Sequence, residues 1–83
     1  MYKKLIVISE ESHGTIAVAT SFAAAKRYII DAGWLTEMDE VYHNHELVNV
    51  KKLFGDNWKE QVMAQNQSWF DGMFYFYEID FAE

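Results

Sequence analysis

Gly72-Met73-Phe74-Tyr75-Phe76-Tyr77-Glu78-Ile79-Asp80-Phe81 is the stretch whose reading decides the fold. Aromatic and β-branched side chains suit a pleated, half-buried surface, and Asp71-Gly72 just before it is a turn signal. The segment therefore reads as a strand. Side chains alternate faces with period two, which gives two rows. Met73, Tyr75, Tyr77, Ile79 and Phe81 are apolar to the end, so this row is expected to face the core. Phe74, Phe76, Glu78 and Asp80 begin aromatic and finish acidic, so their face is expected to run from partly covered to wet. A long greasy edge invites aggregation, which places the strand inside a sheet, beside the N-terminal strand. A helix then covers one side, and loops or a partner subunit the other.

The rest of the chain is read outward from that strand. Residues 2–8 form a first strand, with Leu5 and Val7 on one face and Ile6 and Ile8 on the other. Apolar residues on both faces point to an interior position. The polar run Ser9 to Gly14 is a hairpin turn in which Gly14 supplies a positive φ. Residues 15–20 form a second strand, with Ile16 and Val18 expected inward and the small Ala17 and Ala19 admitting a helix on the other face. Ser21 suits an N-cap, and residues 22–32 carry Phe22, Ala25, Ile29 and Ala32 at helical spacing. Lys26, Arg27 and Asp31 are expected to point away, Gly33 to close the helix, and Trp34 and Leu35 to fold under the sheet.

Residues 36–46 read either as a helical turn capped by Thr36-x-x-Asp39 or as an ordered loop. Leu47, Val50 and Phe54 predict a short helix ended by Gly55. Asp56 is expected to cap another helix, carrying Trp58 and Val62 and broken at Asn66-Gln67-Ser68. The expectation is one α+β domain over residues 1–83, in the order β-β-α-α-β. An antiparallel sheet of about three strands carries helices on one face. No internal repeat or low-complexity linker interrupts it.

Composition narrows the function classes. A chain of 83 residues with 51% hydrophobic and 17% aromatic residues folds around a small core of its own. With no cysteine, a disulfide framework and a thiolate metal site are excluded. Leu5-Ile6-Val7-Ile8 is too short for a signal peptide, and no stretch is long enough to span a membrane. A soluble, cytoplasmic protein is expected. The net charge of −6 disfavours direct nucleic-acid binding and suits either solubility or a basic protein partner.

Three constellations bear on chemistry. His43-x-His45, with Glu46, Asp39 or His13, offers imidazoles and carboxylates to a metal, but no second paired motif fixes the remaining ligands. Glu10, Glu11, Ser12 and His13 share one turn. Ser12 and His13 are neighbours there and project to different sides, so nucleophile and base are not held together as catalysis requires. Nothing resembles a nucleophile elbow or a phosphate loop. The third constellation is an interaction surface. Trp34, Trp58, Trp69 and the tyrosines are interface-anchoring residue types, and 83 residues do not bury so many rings completely. Glu37, Asp39, Glu40, Tyr42 and Glu46 are the candidate protein-binding residues.

Glu11-Ser12-His13-Gly14-Thr15-Ile16-Ala17-Val18-Ala19-Thr20-Ser21, the helix ending in Gly33-Trp34-Leu35, and Leu53-Phe54-Gly55-Asp56-Asn57-Trp58 together resemble small uncharacterised proteins encoded by phages and prophages of Gram-positive bacteria. The resemblance implies a viral accessory protein in the host cytoplasm, of the kind that binds and inhibits a host enzyme or defence complex. The acids are scattered and not spaced like a phosphate ladder, which weighs against DNA mimicry. The function expected is therefore a small acidic, non-enzymatic protein-binding module without cofactor, possessing no catalytic motif. Two alternatives stand beside it: a homodimer formed through the aromatic sheet, and a small metal-dependent or hydrolytic enzyme using His13, His43 and His45.

Overall fold

A computed structural model describes residues 2–82. In chain order the elements are β1 (Tyr2–Glu10), β2 (Gly14–Ala19), α1 (Phe22–Asp31), β3 (Glu40–His43), β4 (Glu46–Asn49), α2 (Val50–Phe54), α3 (Trp58–Met63) and β5 (Phe74–Ala82). Short 3-10 turns occupy Gly55–Asn57 and Gln67–Phe70. The architecture is α+β, with an antiparallel three-stranded sheet in the order β2-β1-β5 and a separate β3-β4 hairpin. The helices pack on one face of the larger sheet, with Ile8 and Phe76 of the strands and Ala25, Ile29, Val50 and Val62 of the helices buried together.

Local signals read from the sequence act as expected at several points. The Ser21 hydroxyl accepts from the Ala24 amide at 3.0 Å and starts α1. Gly33 (φ 80°) ends it, and the amides of Trp34 and Leu35 then donate back to the Ile29 carbonyl. Leu35 is buried beneath the helix end. β1 is the central strand, as its two apolar faces predict.

Other expectations are corrected. The faces of β5 are the reverse of those predicted: Phe74 and Phe76 are buried, whereas Tyr75, Tyr77, Ile79 and Phe81 are exposed. Near its start both rows are aromatic, so pattern alone does not choose between them. The helices cover the Phe row only as far as Phe76, and Glu78 and Asp80 continue that row into solvent. β5 lies beside β1 but at the edge of the sheet, not inside it. Val18, expected inward, is exposed. The register between β1 and β2 shifts between Ile8 and Ser9: Ile8 pairs with Ala17 and Ser9 with Thr15, which leaves Ile16 as an extra residue. This bulge brings Ile16 and Ala17 together against the core and sends Val18 to the opposite face.

Lys26, expected to point away, is the one buried charged residue among those described. Its ammonium donates to the carbonyls of Met63 and Gln65, the latter at 2.9 Å, and lies 4.5 Å from the centre of the Phe22 ring. A cation thereby closes the C-terminal end of α3, where the unpaired carbonyls collect negative partial charge. Leu47, Val48 and Asn49 belong to a strand and not to the predicted helix; the Asn49 side chain caps α2 by accepting from the Lys52 amide at 2.7 Å. Asp56 makes no side-chain cap to α3, but pairs with Lys51 at 2.6 Å.

Candidate functional site

The region 36–46, open between turn and loop in the sequence, is a turn followed by a hairpin. The Asp39 carboxylate accepts from the Thr36 amide at 2.7 Å and the Thr36 hydroxyl at 3.2 Å, closing the turn. The amides of Val50 and Lys51 donate to the carbonyls of Asp39 and Glu37, both at 2.9 Å, tying the base of the hairpin to α2. β3 and β4 pair Glu40 with Asn49, Val41 with Val48, Tyr42 with Leu47 and His43 with Glu46. The two-residue tip is Asn44-His45, both at positive φ (50° and 67°). This is the mirror-image turn whose twist matches that of the flanking strands, and Asn and His are among the non-glycine residues that tolerate it.

Period two then separates the hairpin's faces. Val41 is buried and anchors it to the core. Tyr42 and Leu47, side by side on the opposite face, remain 77% and 54% exposed. Between this hairpin and the turn entering β5 lies an open cleft of ≈ 500 Å³. Its walls carry Tyr42, Leu47 and Trp69 together with Glu11, Glu40 and Asp71. Trp69 in turn packs against Phe54 at 5.8 Å and Phe70 at 5.0 Å between ring centres, which joins the cleft to the core.

The five residues singled out from the sequence thus occupy different situations. Glu40, Tyr42 and Glu46 lie on the hairpin, exposed. Glu37 lies 3.7 Å from the Lys51 ammonium, which also holds Asp56. Asp39 is engaged with Thr36. Sequence reasoning named Trp69 as an interface-anchoring residue type but missed Glu11, Leu47 and Asp71 as wall residues, because the cleft is made by segments distant in sequence. The only signal for it was the pairing of Trp69 with the Asp71-Gly72 turn.

The other two constellations are placed as follows. His13 Nδ1–H donates to Glu10 Oε2 at 2.6 Å, and the Ser12 amide donates to the same oxygen at 2.9 Å. The His13 and Trp34 rings meet edge to face, 5.2 Å apart between centres. Ser12 is thus bound to Glu10 through its backbone, and the local network is a closed turn. Among the described residues, no three His, Asp or Glu side chains are grouped so as to hold a metal ion. Nor is any helix among them long and apolar enough to cross a membrane.

The His13 contact, aided by the amide of Ser12, holds the Glu10 carboxyl below its ordinary range. The Lys51 ammonium does the same for Asp56. A carboxyl with a depressed folded-state pKa stabilises the fold above its unfolded-state value and loses that contribution as pH falls through the folded one. The melting temperature is therefore expected to drop as pH is lowered below about 4. Glu10→Gln is expected to melt with a shallower acid slope, as followed by circular dichroism. An unchanged slope would show that the turn does not contribute.

Compared with family models, curated proteins and solved structures, the chain matches none.

Proposed function

We propose that this is a non-enzymatic binding module, cytoplasmic, that occupies the surface of a basic protein partner through the β3-β4 hairpin and the cleft beside it. The observation that carries the reading is the exposed Tyr42–Leu47 pair above a cleft walled by Trp69 and by Glu11, Glu40 and Asp71. Aromatic faces attract cations, and carboxylates beside them suit a guanidinium or ammonium group. The chemistry of the cleft is that of a receptor for an arginine or lysine side chain, with Tyr42 and Leu47 supplying the apolar contact around it. The net charge of −6 speeds the approach of a basic partner and repels nucleic acid. The further step, that the partner is a host defence or nucleic-acid-binding protein and this chain its viral inhibitor, rests on the resemblance to phage and prophage proteins alone.

The test is a tagged pull-down from bacterial lysate at low and moderate salt. Wild type is compared with Tyr42→Ala and with the double variant Glu40→Gln/Glu46→Gln. A stoichiometric partner is expected that weakens as salt rises and binds Tyr42→Ala about tenfold or more weakly, the scale of an interface anchor. The double variant is expected to bind with a flatter salt dependence. A partner held equally by all three proteins would overturn the assignment of the hairpin.

A further inference from the structure

The open face of the larger sheet is a second surface, built by β1, β2 and β5 and not by the hairpin, and independent of the reading above. Cross-strand register sets Val18, Val7 and Tyr77 in one row across all three strands. Leu5 and Ile79 form the next pair, and Ser9 and Tyr75 the one on the other side. No helix lies on this face. Val18 and Tyr77 are each 55% exposed, Phe81 50%, Ile79 44% and Tyr75 37%. At about 150–250 Å² for each aromatic side chain, less for the aliphatic ones, roughly 400–500 Å² of contiguous side-chain surface stands open. That is the size of the largest patch on a monomer, and such patches are commonly functional.

We infer that this face is the contact between two copies of the chain, stacked sheet on sheet about a two-fold axis. The charge distribution selects this occupant over a basic partner, because the rows named above carry no carboxylate among the described residues. The acids of β5, Glu78 and Asp80, belong to the opposite row. Lys3, opposite Phe81, places a positive charge at one end of this face. A two-fold axis lying across the strands along the Val18–Val7–Tyr77 row sets the Lys3 side chains of the two copies at opposite ends and brings apolar surface onto apolar surface, whereas a basic protein finds no counter-charge here. The area fits a weak, reversible dimer: two such patches bury roughly 800–1,000 Å² in total, at the low end for protein interfaces. Two sheets packed face to face lie about 10 Å apart, and the helices of both copies then form the outer layers.

The edge of β5 is the competing route to a dimer, and its own residues oppose it. The Glu11 amide donates to the Met73 carbonyl at 3.0 Å, so antiparallel alternation turns the backbone groups of Phe74, Phe76, Glu78 and Asp80 outward. The outward carbonyl of Phe76 accepts from the Gln67 side chain at 3.3 Å. Antiparallel pairing of two β5 edges around Glu78 and Asp80 sets carboxylates opposite carboxylates, which is destabilising. Charged side chains of this kind are how natural edges avoid each other.

Light scattering and sedimentation velocity on the full chain test the inference. A dimer is expected at micromolar concentration. Tyr77→Lys and, separately, Val18→Lys are expected to shift it to monomer, because each places a charge in the middle row. The two positions lie on different strands and are exposed, and unchanged far-UV circular dichroism melts verify that each variant folds. A wild type that stays monomeric at tens of micromolar overturns the inference. So does a dimer that survives both substitutions, since its interface then lies elsewhere. A monomer that captures a lysate protein through Tyr77 would assign the face to a different partner and would equally overturn it.

Discussion

Replacing Phe70 by alanine is expected to remove a large share of the protein's stability and to lower its urea midpoint steeply. Phe70 is fully buried where the last 3-10 turn meets the sheet. Its ring meets Phe22 at 6.2 Å, Phe76 at 5.4 Å, Phe74 at 6.5 Å and Trp69 at 5.0 Å between centres, mostly edge to face. It joins α1, β5 and the floor of the cleft in one cluster. Truncating a buried phenylalanine costs about 3–5 kcal/mol, since the cavity collapses only in part. A chain of this length has a total stability of only about 4–12 kcal/mol. Phe70→Leu keeps most of the volume and is expected to cost less than about 2 kcal/mol. Urea melts of the two variants decide the point. Equal midpoints would show that the ring cluster is not what holds the last turn to the sheet.

Lys26→Met carries the second large effect. The aliphatic stem is retained by methionine, so the change isolates the ammonium. Two carbonyls at the end of α3 lose a charged donor, worth about 1.5–3 kcal/mol for each such bond. The Phe22 ring loses its cation as well. Against this stands the desolvation of a buried charge, which in some proteins makes an apolar replacement neutral or stabilising. The bonds are expected to prevail here, because removing the ammonium leaves the carbonyls of Met63 and Gln65 in place without that donor. The expected loss is about 2–3 kcal/mol, or on the order of 10–20 °C in Tm for a domain of this size. A Lys26→Met protein that melts at or above the wild-type temperature would show that desolvation prevails.

The two residues mark what was and was not legible in the chain. The order of the main elements, the Ser21 cap, the glycine stops and the central place of β1 follow from local rules, and the α+β class with them. The faces of β5 did not, because hydrophobic alternation is ambiguous when both rows begin with aromatic rings. A finer signal was present: Phe74 and Phe76 carry no hydroxyl, whereas Tyr75 and Tyr77 do, and rings with a polar end are the ones that stay partly wet. Lys26 read as a surface charge because its acceptors lie 37 and 39 residues further along, beyond any local pattern. The bulge at Ile16 is a matter of strand pairing and leaves no mark in the alternation of β2 itself.

The candidate site divides along the same line. Its acids and Tyr42 were picked out by residue type, and the structure sets Glu40, Tyr42 and Glu46 on one hairpin. That hairpin was hidden for two reasons. Its strands are four residues each, and its tip is Asn44-His45 and not the Asn-Gly pair that announces such turns. Leu47 and Val50, three apart, imitated a helical stripe across the boundary between β4 and α2. The cleft built from Glu11, from Trp69 with Asp71, and from the hairpin depends on three segments converging, which only the fold supplies.

The most direct test of the proposed function is a nuclear magnetic resonance titration of isotope-labelled protein with an acetylated tetra-arginine peptide at low and moderate salt. The account predicts amide shift changes concentrated at residues 40–49 and 68–73 and at Glu11, weakening as salt rises and lost in Tyr42→Ala. Shifts absent from the hairpin, or spread over the acidic surface without regard to the cleft, would contradict it.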